Sequence, residues 1–337
     1  MSGLKNMQGG MEYEEVSLED VINNENHPLK EIRTVLETID DFSQGAGVVP
    51  SSMKSDLQQH PRCGRDFRFE HQFDASSRRD MLGRTPTLAE IERLRSITKE
   101  YELDQEHEAA WNCAVHWPVA ELALASSTYA DRLRVKNITT AKIQPPSLAP
   151  TKESGEKLKS KIVDFAFVLR PSQATKQGFR NLEPLPNAPS ESFNQTCINT
   201  IVDKPIAVSI ETKSSNSAAD EGLPQVAIWA HAQFAKLRQL TTSARHKDSG
   251  PVKLPVLPLV IAQGASWTFF AASQGLSGET ILWRFHEFGK TDKIVGSYQV
   301  IATLQLLADW AENQYRRWFE ENALPLTPEQ RGSLGYA

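Results

Sequence analysis

Two runs of this chain place chemistry-bearing side chains among apolar ones. Residues 162–169 read Ile-Val-Asp-Phe-Ala-Phe-Val-Leu, broken once by Asp164, and residues 206–213 read Ile-Ala-Val-Ser-Ile-Glu-Thr-Lys. Both have the length and apolar content of central strands. Strand side chains alternate between faces. Ile162, Asp164 and Ala166 therefore share one face of the first run; Ala207, Ser209, Glu211 and Lys213 share one face of the second. If the two strands are neighbours, Asp164 lies beside Glu211. Carboxylates offer hard oxygen ligands to Mg²⁺, which binds through one or two of them and keeps room for waters and substrate phosphate. Such an ion stabilises charge developing on a scissile phosphate and acidifies a bound water. A lysine beside it positions or deprotonates that water, or holds the phosphate. The bland alternative is a Glu211–Lys213 ion pair at a strand end and an Asp placed by chance. Against it stands the apolar setting of Asp164, since a buried carboxylate needs a partner or a metal.

The surrounding pattern predicts a mixed α/β core, one sheet flanked by helices. Leu29, Ile32, Leu36 and Ile39 follow helical spacing, as do Leu88, Ile91 and Leu94 after the start signal at Thr85-Pro86-Thr87. A further helix is expected over 104–125, with Pro118 kinking or splitting it. Strands are expected over 138–143, 162–169, 206–213, 256–262, 267–273 and 280–286, the last two joined by Gly275-Leu276-Ser277-Gly278. Helices are expected over 225–240 and 298–322, and a polar, Pro-rich insertion over 171–204. Residues 1–28 lack a core pattern and read as mobile. Residues 43–83 read as a long connection with little regular structure, a lid or an interaction segment. The organisation expected is an arm over 1–84, partly disordered with one helix, a domain over 85–325 and a loose tail over 326–337.

Composition narrows the classes. The chain has 337 residues and a formal net charge of -5, so no overall basic field draws nucleic acid, and any such contact must be local. Three cysteines at unpatterned spacing argue against a disulfide framework and a zinc site. No apolar run approaches the roughly 18 residues of a membrane helix, and the polar, acidic start is not a signal peptide. An intracellular protein, nuclear or cytoplasmic, is expected. The basic run Lys236, Arg238, Arg245, His246, Lys247 and Lys253 suits either a phosphate backbone or an ordinary solvated loop. Trp229, Trp267, Trp283, Trp310 and Trp318 read as core or partly buried aromatics, and His231 as a satisfied structural histidine.

Several pieces, in order, resemble the PD-(D/E)xK nuclease superfamily, and more closely the nuclease-like domain of that superfamily found in many fungal proteins. They are Glu108-Ala109-Ala110-Trp111-Asn112 with Val115-His116, Lys161 to Ala166, Ile210-Glu211-Thr212-Lys213, Gln225 to Trp229, Leu254 to Pro258, Gly264 to Trp267, and Trp310 with Tyr315 to Phe319. The resemblance covers about 85–325. It departs from the superfamily's name in having Val163, not a proline, before Asp164. It implies a restriction-endonuclease-like core with Asp164 and Glu211 as principal metal ligands and Lys213 as the catalytic lysine. It also implies Glu108 touching the metal site from the first core helix, and Gln225 near the lysine or the substrate backbone. The residues themselves leave Glu108 open as a solvated helix residue and Gln225 as a cap. Trp111 and His116 read as packing residues.

Three readings follow. The first is an Mg²⁺-dependent nuclease, with Mn²⁺ as the alternative ion, that hydrolyses phosphodiester bonds of DNA. The second is a non-catalytic binding module on the same fold, since fold does not imply function. The third is an accessory protein of a specialised pathway such as fungal secondary metabolism, which rests on the resemblance alone and which genomic neighbourhood would discriminate. No sequence-recognition module is evident.

Overall fold

The structure, a computed structural model, describes residues 7–8, 11–152, 163–183, 191–218, 220–244, 252–275 and 277–333. Its largest sheet has seven strands: β1 (Met11–Glu15), β2 (Leu133–Asn137), β3 (Phe165–Leu169), β4 (Ile206–Lys213), β5 (Leu257–Gln263), β6 (Ser266–Gln274) and β7 (Thr280–Lys290). Their order is β1-β7-β6-β5-β4-β3-β2. β1 is parallel to β7 and β4 to β5, and the other neighbours are antiparallel. All five residues of β3 and all eight of β4 are buried, which is why they read as near-continuous apolar runs. The mixed α/β expectation agrees with this sheet and its flanking helices.

The helices divide between the faces. α5 (Leu223–Ser243) lies on the face of Ser209: Trp229 Nε1 donates to Ser209 Oγ at 3.1 Å and Gln233 Nε2 to the Ile206 carbonyl at 2.9 Å. Its Trp229, Phe234 and Leu237 are buried, and each contributes about 1.5–3 kcal/mol of apolar burial. On the opposite face lie α4 (Trp117–Ala125) and α6 (Ile294–Trp310); Trp117 meets Phe165 edge-on at 5.6 Å. α2 (Leu88–Leu103) starts at a reciprocal cap: Thr87 Oγ1 accepts from the Glu90 N–H while Glu90 accepts from the Thr87 N–H. The region 104–125 holds α3 (Glu108–Trp111), a π-turn over Asn112–His116, and then α4. Pro118 follows the π-turn at once: the backbone stays helical through His116 and Trp117, so the expected kink or split takes the form of a local shift in hydrogen-bond register. A second π-turn, Ala311–Tyr315, joins α6 to α7 (Arg316–Asn322).

Some expectations differ from the structure. The strand expected over 138–143 lies earlier, at β2. Asn137 Oδ1 accepts from the Thr139 N–H and hydroxyl, and that local turn overrides the β-branched composition after it. The segment read as a separate arm is built into the core. β1 pairs with β7, and α1 (Arg33–Ser43) packs on α6 and β7. Val48, Val49, Leu57, Cys63 and Phe67 are buried between short turns, so 43–83 is compact rather than loose. Residues 1–6, 9 and 10 lie outside the described residues. The tail holds a short helix, Pro328–Ser333. No helix of the described residues is long and apolar enough to cross a membrane.

Candidate active site

β3 and β4 are neighbours, and Phe165 pairs with Ile210, which brings Asp164 level with Glu211. Asp164 occupies a bend just before β3. Its N–H donates to the Ile210 carbonyl at 3.1 Å and its carbonyl accepts from the Ile138 N–H at 2.8 Å, so its backbone is fixed between two elements. Its Oδ2 accepts two hydrogen bonds from Thr212, one from the N–H at 3.0 Å and one from the hydroxyl at 2.8 Å. Burial pushes the Asp164 carboxyl up, while the two Thr212 donors oppose the shift. Among the described residues no hydrogen bond reaches Asp164 Oδ1.

Glu211 has no exposed surface. The Lys213 ammonium donates to its Oε1 at 2.5 Å, and among the described residues its buried Oε2 has no hydrogen-bond partner. Burial first, and then the nearby Asp164 charge, raise the Glu211 carboxyl well above the ordinary range, with Lys213 working against both. Lys213 also donates to the Thr212 carbonyl at 2.8 Å and to Glu108 Oε2 at 3.2 Å. Burial works to lower the Lys213 ammonium, but Glu211 and Glu108 outweigh it and hold it above its usual value. Glu108 is the first residue of α3, which leads through the π-turn into α4, and its side chain is 41% exposed. It is the one member of the cluster at the rim.

Two glycines shape this spot. Gly222 precedes α5, and a Cβ there would stand 3.2 Å from Glu211 Cγ and 3.5 Å from Ile261. The helix start therefore lies against Glu211, and its positive dipole end favours the carboxylate charge. Gly264, with φ +53°, turns the chain between β5 and β6, and a Cβ there would meet Ser215 at 2.8 Å. Its N–H donates to the Lys213 carbonyl at 2.9 Å. Its own carbonyl lies 2.9 Å from His116 Nε2, while Nδ1 lies 3.0 Å from the Asn112 side-chain amide. The fully buried imidazole stacks on Trp111 and meets Trp267 edge-on, and burial lowers it to about 4. A neutral ring donates from Nε2, so His116 ties the helix of Glu108 to the strand end of Lys213.

Four of the expected residues, Asp164, Glu211, Lys213 and Glu108, come together. Gln225 lies in the first turn of α5, half-buried, and among the described residues no hydrogen bond joins its side chain to Lys213 or the carboxylates. The basic run disperses. Lys236 faces the interior, 2% exposed and lowered by burial to about 8, Lys253 pairs with Glu31 at 2.9 Å, and 245–247 lie outside the described residues. Trp229, Trp267, Trp283 and Trp310 are buried, Trp318 is half-buried, and the His231 ring bonds Thr280 Oγ1 at 3.1 Å, away from the cluster. Thr212, Gly222 and the His116 tie are the parts that sequence reasoning missed.

A cleft of about 400 Å³ adjoins the cluster on the same sheet face. Lys213 pairs with Gln263, Gln263 with Ser266 and Ser266 with Lys290, a row whose last three members line the cleft. Arg284 and Lys293 line it with Lys290, and so do Glu102, Asp220, Glu287 and Asp292.

A family model described as the PD-(D/E)XK nuclease superfamily matches residues 56–316. The chain belongs to this superfamily. No curated protein and no solved structure gives a significant match. The PD-(D/E)XK match spans every member of the cluster, and the seven-stranded mixed sheet with its helices is consistent with the restriction-endonuclease-like fold. The superfamily consists generally of nucleases and typically uses a divalent metal such as Mg²⁺, so the chain has a nuclease-type fold, which suggests a nucleic-acid substrate. Among the described residues no three His, Cys, Asp or Glu side chains form a ready-made metal cage. The donor set fits the looser demand of Mg²⁺, which binds through one or two carboxylates and completes its shell with water and phosphate. Among the described residues Asp164 and Glu211 each have one oxygen held and no hydrogen bond to the other, and an acceptor such as the buried Glu211 Oε2 suits a cation.

Proposed function

We propose that this protein is a metal-dependent nuclease that hydrolyses phosphodiester bonds of nucleic acid, DNA in the first instance. The reading rests chiefly on one observation: a half-buried and a fully buried carboxylate, Asp164 and Glu211, lie side by side, each with one oxygen held and, among the described residues, no hydrogen bond to the other, with a lysine ammonium 2.5 Å from Glu211. Asp164 Oδ1 and Glu211 Oε2 are the oxygens that would hold the ion, with Glu108 at the rim. A bound divalent ion would supply charge stabilisation at the scissile phosphate and a more acidic water. Lys213, kept charged by Glu211 and Glu108, orients the attacking water or neutralises the phosphate it meets. Thr212 and the start of α5 hold the two carboxylates in place, so little reorganises when substrate arrives. The charges of the adjoining cleft are mixed, which favours a second reading, a nuclease fold serving as a binding scaffold.

The test is cleavage of single-stranded DNA, double-stranded DNA and RNA in Mg²⁺, Mn²⁺ or chelator, with Lys213→Ala beside the wild type. Metal-dependent cutting that disappears in the variant supports the nuclease and names its substrate. Equal cutting by both proteins, or none by either, moves the assignment to the scaffold.

A further inference from the structure

In the run Ile210-Glu211-Thr212-Lys213, strand alternation turns Thr212 to the sheet face opposite Glu211 and Lys213. That position therefore looks like core filling, and Thr212 has no exposed surface. Its polar groups nevertheless converge on the site. The Asp164 bend lies at the mouth of the β3–β4 pair, where the register puts Asp164 one place beyond the Phe165–Ile210 partners. There the Thr212 N–H does not continue the ladder to a backbone carbonyl. It donates to Asp164 Oδ2 at 3.0 Å, and the hydroxyl donates to the same oxygen at 2.8 Å.

We infer that Thr212 is a positioning residue that fixes the Asp164 carboxylate so that its other oxygen, Oδ1, is presented to a divalent cation. This rests on the metal-site part of the proposed function. Two donors on one oxygen leave the carboxylate little freedom to rotate about its terminal torsion. The N–H alone, a single bond from the main chain, would let the plane of the carboxylate swing about that contact; the hydroxyl supplies the second point. Partners that orient a metal-binding carboxylate in this way typically change metal affinity about 10–100-fold when removed. Glu211 is held differently, by Lys213 on Oε1. The two ligands are thus fixed by independent contacts, and loss of the Thr212 hydroxyl acts on Asp164 alone.

The experiment compares Thr212→Val, which keeps shape and backbone N–H but removes the hydroxyl, with Thr212→Ser, which restores the hydroxyl. Mn²⁺ affinity is measured by calorimetry without nucleic acid, and the Mn²⁺ dependence of cleavage is measured separately. The Val variant should bind Mn²⁺ about 10–100-fold more weakly, and Ser should return to within about threefold of wild type. In cleavage, the Val defect should appear in the Mn²⁺ concentration needed and shrink at saturating metal. A Val variant that binds as wild type does, equal weakening by Val and Ser, or no Mn²⁺ binding by the wild type would each overturn the inference. A wild type that binds Mn²⁺ yet cuts no nucleic acid would overturn the nuclease reading and leave Thr212 to be judged by calorimetry.

Discussion

Replacing Lys213 by Met should reveal the energetic tension within the cluster. Among the described residues the ammonium is the one hydrogen-bond partner of the Glu211 carboxylate, 2.5 Å from an oxygen of a side chain with no exposed surface. Removing one partner of such a buried pair costs about 3–5 kcal/mol, because the remaining charge is left unsolvated. The loss at Glu108 is small by comparison, because that side chain is 41% exposed and a solvated pair is worth about 1 kcal/mol or less. A total near 4 kcal/mol is expected at neutral pH. With an unfolding entropy of about 0.7 kcal/mol/K for a chain of this length, the melting temperature should fall by about 6 °C. The sign with pH follows from Glu211. Its carboxyl is raised in the folded chain above the unfolded value, so its contribution to stability is fully present below the ordinary carboxyl range and is lost as pH rises through the folded value. The Lys213→Met penalty should therefore be largest above neutrality and shrink in acid as Glu211 takes up a proton. Urea unfolding followed by circular dichroism, in chelator at several pH values, measures both. In a Glu211→Gln background the same substitution should cost less, about 1.5–3 kcal/mol, the scale of a hydrogen bond from a charged donor to a neutral acceptor. A penalty below about 1 kcal/mol that is flat from acid to alkaline pH would refute the assignment of Lys213 as the counter-ion of a buried charge.

Two further expectations follow. The His116 imidazole, held near 4 by burial, stays neutral in the fold while the unfolded chain protonates below about 6.5, so stability is lost as pH falls through that interval. That loss should amount to about 3 kcal/mol and be smaller in His116→Gln, as read from urea midpoints at neutral pH and near pH 4.5. Gly222→Ala would place a methyl 3.2 Å from Glu211 Cγ, forcing the carboxylate aside by a few tenths of an ångström. Cleavage should fall about three- to tenfold with little change in melting temperature, and an unaltered rate would show that α5 does not confine Glu211.

The closeness of Asp164, Glu211 and Lys213 is legible because it uses the strongest short-range regularity a strand has. The alternation in 206–213 puts Glu211 and Lys213 on one side, and a lone Asp164 in an apolar run invites a partner; the register of β3 on β4 supplies it. Thr212 was hidden by the same regularity, since alternation sends it to the opposite face and only the bend at Asp164 brings the carboxylate within its reach. His116 acts through a contact 148 residues along the chain and Gly222 through the way α5 folds back against Glu211 and Ile261, neither of which a local pattern encodes. β1 is hidden for a related reason. Met11 is the one buried residue of β1, and its strand neighbour is Thr280. A short acidic stretch with a single apolar anchor does not announce a strand whose partner lies at the other end of the chain.

That edge strand also bears on how the molecule is made. β1 is synthesised about 270 residues before its pairing partner β7. At roughly 5–20 residues per second, β1 waits tens of seconds with its backbone donors and acceptors open to any other exposed strand. Its sequence, Met-Glu-Tyr-Glu-Glu, suits the wait, because acidic side chains on an open edge repel a second copy. The same charges that obscure β1 as part of the core therefore keep nascent chains apart until β7 arrives to close the sheet.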